Sequence, residues 1–185
     1  VSNDQQKLPV VFLKPGELHI ASKPELVVTV LGSCLSVTMF NRRQGLSGIC
    51  HCLLPHCGKR TQCGSTCSDG CEDGFKYVDD AIRQMVAIFD QHNIPRKEIE
   101  VKCFGGADMF TRKSTKSGLV SVGRQNIAMA ERTLLHEGLE LTAKDVGGVQ
   151  GRKILFYTHT GEVLLKRLSA MNDPDTLWQE IMKND

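Results

Sequence analysis

The sequence predicts an α/β (α+β) fold: a sheet-rich sandwich of mixed sheets, with about eight strands and two long helices in a single domain. Three observations carry this. Most apolar runs are short, and Gly, Pro or Asn punctuates them. Only two segments, 75–92 and 123–137, keep helical apolar spacing over three or more turns. The length, 185 residues, suits one domain, 1–185, with a core large enough to need no disulfide staples.

Pro9 to Leu13 and Glu17 to Ala21 read as two short strands around a Pro15-Gly16 turn. Leu26 to Leu31 (LVVTVL) is a buried-strand run. After Gly32-Ser33, residues Cys34 to Phe40 alternate, with Leu35, Val37 and Met39 on one face and Ser36 and Thr38 on the other. Asn41 to Gly45 is a turn, and Ser47 to Leu54 (SGICHCLL) is a strand stopped by Pro55.

Residues 56–74 form a Cys-rich loop of Gly, Ser, Thr, Cys and Asp. Phe75 to His92 is a helix, because Val78, Ile82, Met85, Val86 and Phe89 recur at i, i+4, i+7 spacing. Asn93-Ile94-Pro95 ends it. Ile99 to Phe104 is a strand closed by Gly105-Gly106. A basic loop follows at Arg112 to Gly118. Gly123 to Glu137 is the second helix, with Ile127, Ala130 and Leu134 on one face and Gly138 as its C-cap. Leu139 to Asp145, Arg152 to Tyr157 and Glu162 to Leu168 are strands, the last two joined by a Thr160-Gly161 hairpin turn. Thr176 to Lys183 is a short terminal helix.

Composition narrows the function. The apolar fraction is 41% and the charged fraction 24%, which excludes wholesale disorder. Aromatics are 5%, so the core is mainly aliphatic. Lys+Arg 23 against Asp+Glu 21 leaves +2, too balanced to predict nucleic acid or an anionic membrane as partner. No apolar run approaches the roughly 20 residues of a membrane helix. The polar start, Val1 to Lys7, lacks the apolar region of a signal peptide, so the expected location is cytoplasmic.

Eight cysteines are the unusual count. Cys57, Cys63, Cys67 and Cys71 share the Gly/Ser-rich loop. Cys34, Cys50, Cys52 and Cys103 lie in or beside strands. This pattern fits a local cluster, one functional thiol and some buried thiols better than a disulfide framework.

The chemistry concentrates between Leu26 and Pro55. One strand delivers Gly32-Ser33-Cys34 at a corner, and a second brings back His51. A thiol becomes a nucleophile when an imidazole takes its proton. Gly32 permits an unusual backbone angle there, so that N–H groups near Ser33 can face one spot and hold an oxyanion. A third group would orient the imidazole. On spacing alone, a core thiol and a structural histidine remain the alternative.

Several segments together resemble the CheD chemoreceptor glutamine deamidase family of bacterial and archaeal chemotaxis. Val27 to Val37 (VVTVLGSCLSV) is similar to that family's nucleophile strand and turn, and Gly48 to Pro55 (GICHCLLP) to its histidine motif. Lys102 to Met109 (KCFGGADM) resembles its Gly-Gly-Ala motif. Val122 to Asn126 (VGRQN) resembles the start of its second helix. Asp145-Val146-Gly147-Gly148, Gly151-Arg152-Lys153 and Thr158 to Val163 (THTGEV) resemble its C-terminal hairpin.

The resemblance implies a layered α/β/β sandwich, related at its active site to the cytotoxic necrotizing factor toxins. It implies a protein-glutamine glutaminase that converts selected receptor glutamines to glutamate and releases ammonia. Carried onto this sequence, the triad is Cys34 as nucleophile, His51 as base and acid, and Thr29 as the orienting residue. The implied partners are chemoreceptor cytoplasmic helices and a CheC-type phosphatase, with no cofactor required.

The loop cysteines depart from the family pattern, which has a shorter, cysteine-poor loop here. Cys57, Cys63, Cys67 and Cys71 suggest a structural zinc, although their spacing does not match paired C-x-x-C knuckles. Free or oxidised thiols are the other reading. Cys50 and Cys52 flank His51 and point away from it on an extended strand, as packing residues. Gly105-Gly106 is either a tight turn or a close approach at a site. Arg112, Lys113 and Lys116 form a solvated loop or a contact for acidic helices. Two other functions compete with the enzyme: a regulatory protein that binds CheC, and a metal or redox sensor built on the loop.

Overall fold

The computed structural model describes residues 8–57, 75–108 and 120–168. Among them nine strands form two mixed sheets. The first has the order β1-β3-β8-β9, with β1 Val10–Phe12, β3 Leu26–Leu31, β8 Arg152–Tyr157 and β9 Val163–Arg167. The second has the order β2-β5-β4-β6-β7, with β2 Leu18–Ala21, β4 Leu35–Asn41, β5 Leu46–Cys50, β6 Glu100–Gly105 and β7 Leu141–Val146. Pairing is parallel for β1/β3 and β6/β7 and antiparallel elsewhere. The two long helices are α1, Val78–Gln91, and α2, Val122–His136.

Residue alternation explains the layers. On β4, Leu35, Val37 and Met39 pack with Cys50, Cys52, Val101 and Cys103 against Ile82, Met85 and Phe89 of α1 and Ala130 and Leu134 of α2. The opposite faces meet the other sheet, where Ile49 joins Val27 and Phe156, and Phe104 joins Leu31 and Ile154. The order is helices, five-stranded sheet, four-stranded sheet. Every residue of β4 is buried, as a strand covered on both faces requires.

The two N-terminal strands do not pair with each other around Pro15-Gly16. β1 runs parallel to β3 and β2 antiparallel to β5, so the turn crosses between sheets. The strand expected over 47–54 stops at Cys50. There the Cys50 sulfur takes the place of a ladder partner: the Val37 N–H donates to it at 3.5 Å and its S–H donates to the Val37 carbonyl at 3.7 Å. Pairing resumes at a single bridge, Leu35 with Cys52. Helix α1 starts three residues later than its periodicity suggests, because the Lys76 carbonyl accepts from the N–H groups of Leu53 and Leu54, at 2.9 and 3.1 Å. Gly138 (φ 70) closes α2 as expected. The terminal helix expected over 176–183 and the basic loop 112–118 lie outside the described residues.

Candidate active site

Thr29 sits on β3 with its side chain between the sheets, wholly buried. Its Oγ1 donates to the Leu13 carbonyl at 2.8 Å and lies 2.7 Å from His51 Nδ1. A hydroxyl carries one proton, and a carbonyl only accepts. The Thr29 proton is therefore spent on Leu13, and His51 Nδ1 must be the donor to Thr29. This fixes the imidazole tautomer and leaves Nε2 with its lone pair free for a proton. Burial pushes the His51 pKa down to about 4, opposed in part by the Leu13 carbonyl and by Glu17. The ring is neutral at pH 7, the form a base needs.

Cys34 follows from the strand register. Leu35 and Cys52 exchange both backbone hydrogen bonds, at 2.9 and 2.8 Å, and both face the helices. Their neighbours Cys34 and His51 therefore project from the other face, toward the four-stranded sheet. They are diagonal partners across the pair, a relation that puts Cα atoms about 7–8 Å apart. Cys34 packs beside Leu31, Phe104 and Ile154 and is only partly buried. Burial raises its thiol pKa, while its own backbone N–H pulls the other way. The resting pair is a neutral thiol and a neutral imidazole.

The corner that carries Cys34 is held by its carbonyls. Ala107 N–H donates to the Gly32 carbonyl at 2.8 Å and Gly106 N–H to the Cys34 carbonyl at 2.7 Å. Asn126 Nδ2 donates to the Ser33 carbonyl at 3.1 Å. In trans peptides N–H and C=O point in opposite directions. Pinning the carbonyls of Gly32 and Ser33 turns the N–H groups of Ser33 and Cys34 the other way. Among the described residues neither has another acceptor, apart from the Cys34 sulfur that the Cys34 N–H itself approaches. Two backbone donors beside a sulfur can receive an oxyanion.

The unusual backbone angle expected at Gly32 is not found, since its φ is not positive; the positive-φ glycines here are Gly105 and Gly106, in the turn that holds this corner. Gly105 has φ 107, and a Cβ there would lie 2.3 Å from the Cys34 carbonyl oxygen. Gly105→Ala is expected to destabilise the fold by about 3 kcal/mol or more through a strained backbone and a displaced corner. A lowered midpoint in urea unfolding, with lost activity, is the expected measurement.

Cys50 and Cys52 pack under the helices and do not face His51. Cys57 is buried, whereas Cys63, Cys67 and Cys71 lie outside the described residues. Among the described residues no group of three or more His, Cys, Asp or Glu is placed to hold a metal ion. His159 is exposed, with an edge contact to Tyr157. Gly105-Gly106 is both a tight turn and a close approach, since it bonds the Cys34 carbonyl. Sequence reasoning gave no role to Ser36 or Asn126. Ser36 lies across from His51 in the continued register, and its buried Oγ has no hydrogen-bond partner. Asn126 interrupts the apolar stripe of α2, an unfavourable helix residue on a buried face. That mismatch is the signal that could have found it.

Thr29→Val keeps the shape and removes the hydroxyl. With His51 as a base, it is expected to lower kcat about tenfold to a hundredfold, the worth of a hydrogen bond to a group that gains charge. Thr29→Ser should retain most of the rate in steady-state kinetics.

Among family models, the one described as CheD chemotactic sensory transduction matches residues 63–167. Relatives extend the likeness across the Cys34–His51 region. A Geobacter sulfurreducens protein named "probable chemoreceptor glutamine deamidase CheD 2" is 49% identical over 163 residues, covering 88% of this chain and 92% of its own. Proteins named "probable chemoreceptor glutamine deamidase CheD" from Oleidesulfovibrio alaskensis and Maridesulfovibrio salexigens are 41% and 34% identical. These cover 88% and 89% of this chain, and 74% and 95% of their own. No described helix is long and apolar enough to cross a membrane. With a family model matching more than half its length and a relative this similar along nearly all of it, the chain belongs to the CheD family.

Proposed function

We propose that this chain, as one deamidase domain over 1–185, hydrolyses selected glutamine side chains of chemoreceptors to glutamate in the cytoplasm. The observation that carries the reading is the buried Leu13–Thr29–His51 hydrogen-bond chain, which leaves Nε2 as a base on the face shared with Cys34. The family relatives supply the substrate class.

The Cys34 sulfur attacks the γ-carboxamide carbon. An S–C bond forms, the carbonyl π pair moves onto oxygen, and the thiol proton passes to His51 Nε2. The N–H groups of Ser33 and Cys34 receive the oxyanion, the first of them aimed by the bond from Ala107 to the Gly32 carbonyl. Collapse breaks the C–N bond, and the Nε2 proton leaves with nitrogen as ammonia. His51 then takes a proton from water as it attacks the thioester. The second collapse breaks the S–C bond and returns the proton to sulfur. Every step uses side chains and backbone of this chain and requires no cofactor. Partnership with a CheC-type phosphatase belongs to the same family reading.

Substrate choice provides the test. A free amino acid offers little binding energy to position its amide, whereas a receptor helix can dock along its length. The expected result is ammonia from a receptor cytoplasmic fragment, in equal amount to new glutamate, and almost none from free glutamine. Equal kcat/KM on both would identify a small-molecule amidase instead.

A further inference from the structure

Asn126 stands at an unusual place for a helix side chain. It lies in the second turn of α2, is 0% exposed, and spends both protons of its amide on two carbonyls from separate segments, the corner between β3 and β4 and the chain beyond β5. One proton goes to Ser33, directly before Cys34, at 3.1 Å. The other goes to Leu53, two residues beyond His51, at 3.0 Å. By the register through Leu35 and Cys52, Leu53 lies opposite Cys34. One side chain thus ties the corner before the sulfur to the chain that carries the imidazole.

The Ser33 carbonyl and the Cys34 N–H belong to the same peptide plane. A hydrogen bond to the carbonyl fixes how that plane is turned, and so where the N–H points. It also polarises the peptide and makes the N–H a better donor. The helix is docked closely enough to hold this alignment: a Cβ on Gly123 would lie 2.5 Å from the Gly106 carbonyl oxygen. Gly106 in turn bonds the Cys34 carbonyl at 2.7 Å. Helix, glycine turn and Cys34 corner are therefore packed directly on one another. The Asn126 Oδ1 is buried with no hydrogen-bond partner, a cost the site accepts to keep the two donors directed at the carbonyls.

We propose that Asn126 is a positioning residue of the deamidation reaction, which aims the Cys34 backbone N–H at the oxyanion by holding the Ser33 carbonyl from behind. This rests on the deamidase reading for its substrate, but the oxyanion site can be probed without a receptor. Asn126 is fully buried and its hydrogen bonds go to the Ser33 and Leu53 carbonyls, so its loss should act on kcat and leave KM for a receptor fragment nearly unchanged.

Butyraldehyde is the probe. The Cys34 sulfur adds to its carbonyl carbon, the π pair moves to oxygen, and the thiol proton ends on that oxygen as a hemithioacetal with nothing released. The new oxygen occupies the oxyanion position. Affinity is read as protection of Cys34 from iodoacetamide, located by peptide mass spectrometry. Each protein's own rate without aldehyde is its baseline, so a change in thiol ionisation cancels.

Asn126→Ser is expected to weaken protection at least tenfold and lower kcat about tenfold to a hundredfold, with KM within twofold. Asn126→Asp keeps the volume if the first variant does not fold. Its carboxyl donates one hydrogen bond when protonated and none when ionised, so its kcat should fall with rising pH across a range where the parent protein is level. Aldehyde protection equal to the parent's in the folded variants overturns the assignment and leaves the deamidase reading intact. No protection of the parent protein overturns it as well, because no oxyanion site would then exist. Protection that depends on Asn126 in a protein that leaves receptors unmodified sustains the assignment and removes the receptor reading.

Discussion

Cys34→Ala is expected to fold and to release no ammonia above background, a fall of about a thousandfold or more, since the covalent step has no substitute. The other described cysteines cannot replace it. Cys50, Cys52, Cys57 and Cys103 are all buried. Burial also pushes the Cys103 thiol up to about 12, so its thiolate is not available at neutral pH. Cys34 alone among them is partly open, and the backbone N–H groups of Ser33 and Cys34 beside it have no other acceptor among the described residues than the Cys34 sulfur. The fold should survive, because alanine removes one sulfur from the edge of a small cluster with Leu31, Phe104 and Ile154. Ammonia release and thermal unfolding, measured on the same preparation, check both halves. Activity in a clean Cys34→Ala sample would remove the nucleophile assignment.

His51→Ala is expected to cost about 10²–10⁴-fold in kcat, the range for loss of a positioned general base. The pH dependence of the unmodified protein gives a second test. The proposed mechanism uses neutral His51, so kcat/KM should hold level down to the region of its depressed pKa, about 4, and fall below that. Stability moves with the same group. The unfolded histidine binds a proton near its ordinary value of 6.5 and the folded one only near 4. Between those values the unfolded state carries more protons, so stability falls as pH drops through the window. The loss is on the order of 3 kcal/mol at its full extent. His51→Ala should flatten that part of the curve in denaturant titrations at pH 4 to 6.5. An unchanged slope would mean that the ring is not buried neutral.

Much of this architecture was legible in the sequence because burial writes period into it. Leu26–Leu31 and Arg152–Tyr157 match their strands to the residue, and α1 shows Val78, Ile82, Met85, Val86 and Phe89 on its buried face. What escaped was set by partners distant in sequence. Nothing near Cys50 says that its sulfur will stand in for a backbone partner of Val37 and end β5 early. Nothing near Pro15-Gly16 says that the flanking strands join different sheets. In the site, Cys34 and His51 were marked by the corner and strand around them. Thr29 gained its place only through the family resemblance, because a buried threonine in LVVTVL is otherwise ordinary strand. Its bond to His51 joins two sheets and is a tertiary fact. The hold of Asn126 on Ser33 spans 93 residues and depends on the docking of α2, which local pattern does not encode.

The most direct measurement follows the oxygen. A receptor cytoplasmic fragment is incubated with the protein in heavy-oxygen water, and its peptides are weighed. Hydrolysis through a Cys34 thioester predicts that a few defined glutamines become glutamates, each carrying one heavy oxygen from solvent, and that Cys34→Ala leaves the same peptides unchanged. Unmodified glutamines with the native protein, or labelled glutamates with Cys34→Ala, would contradict it.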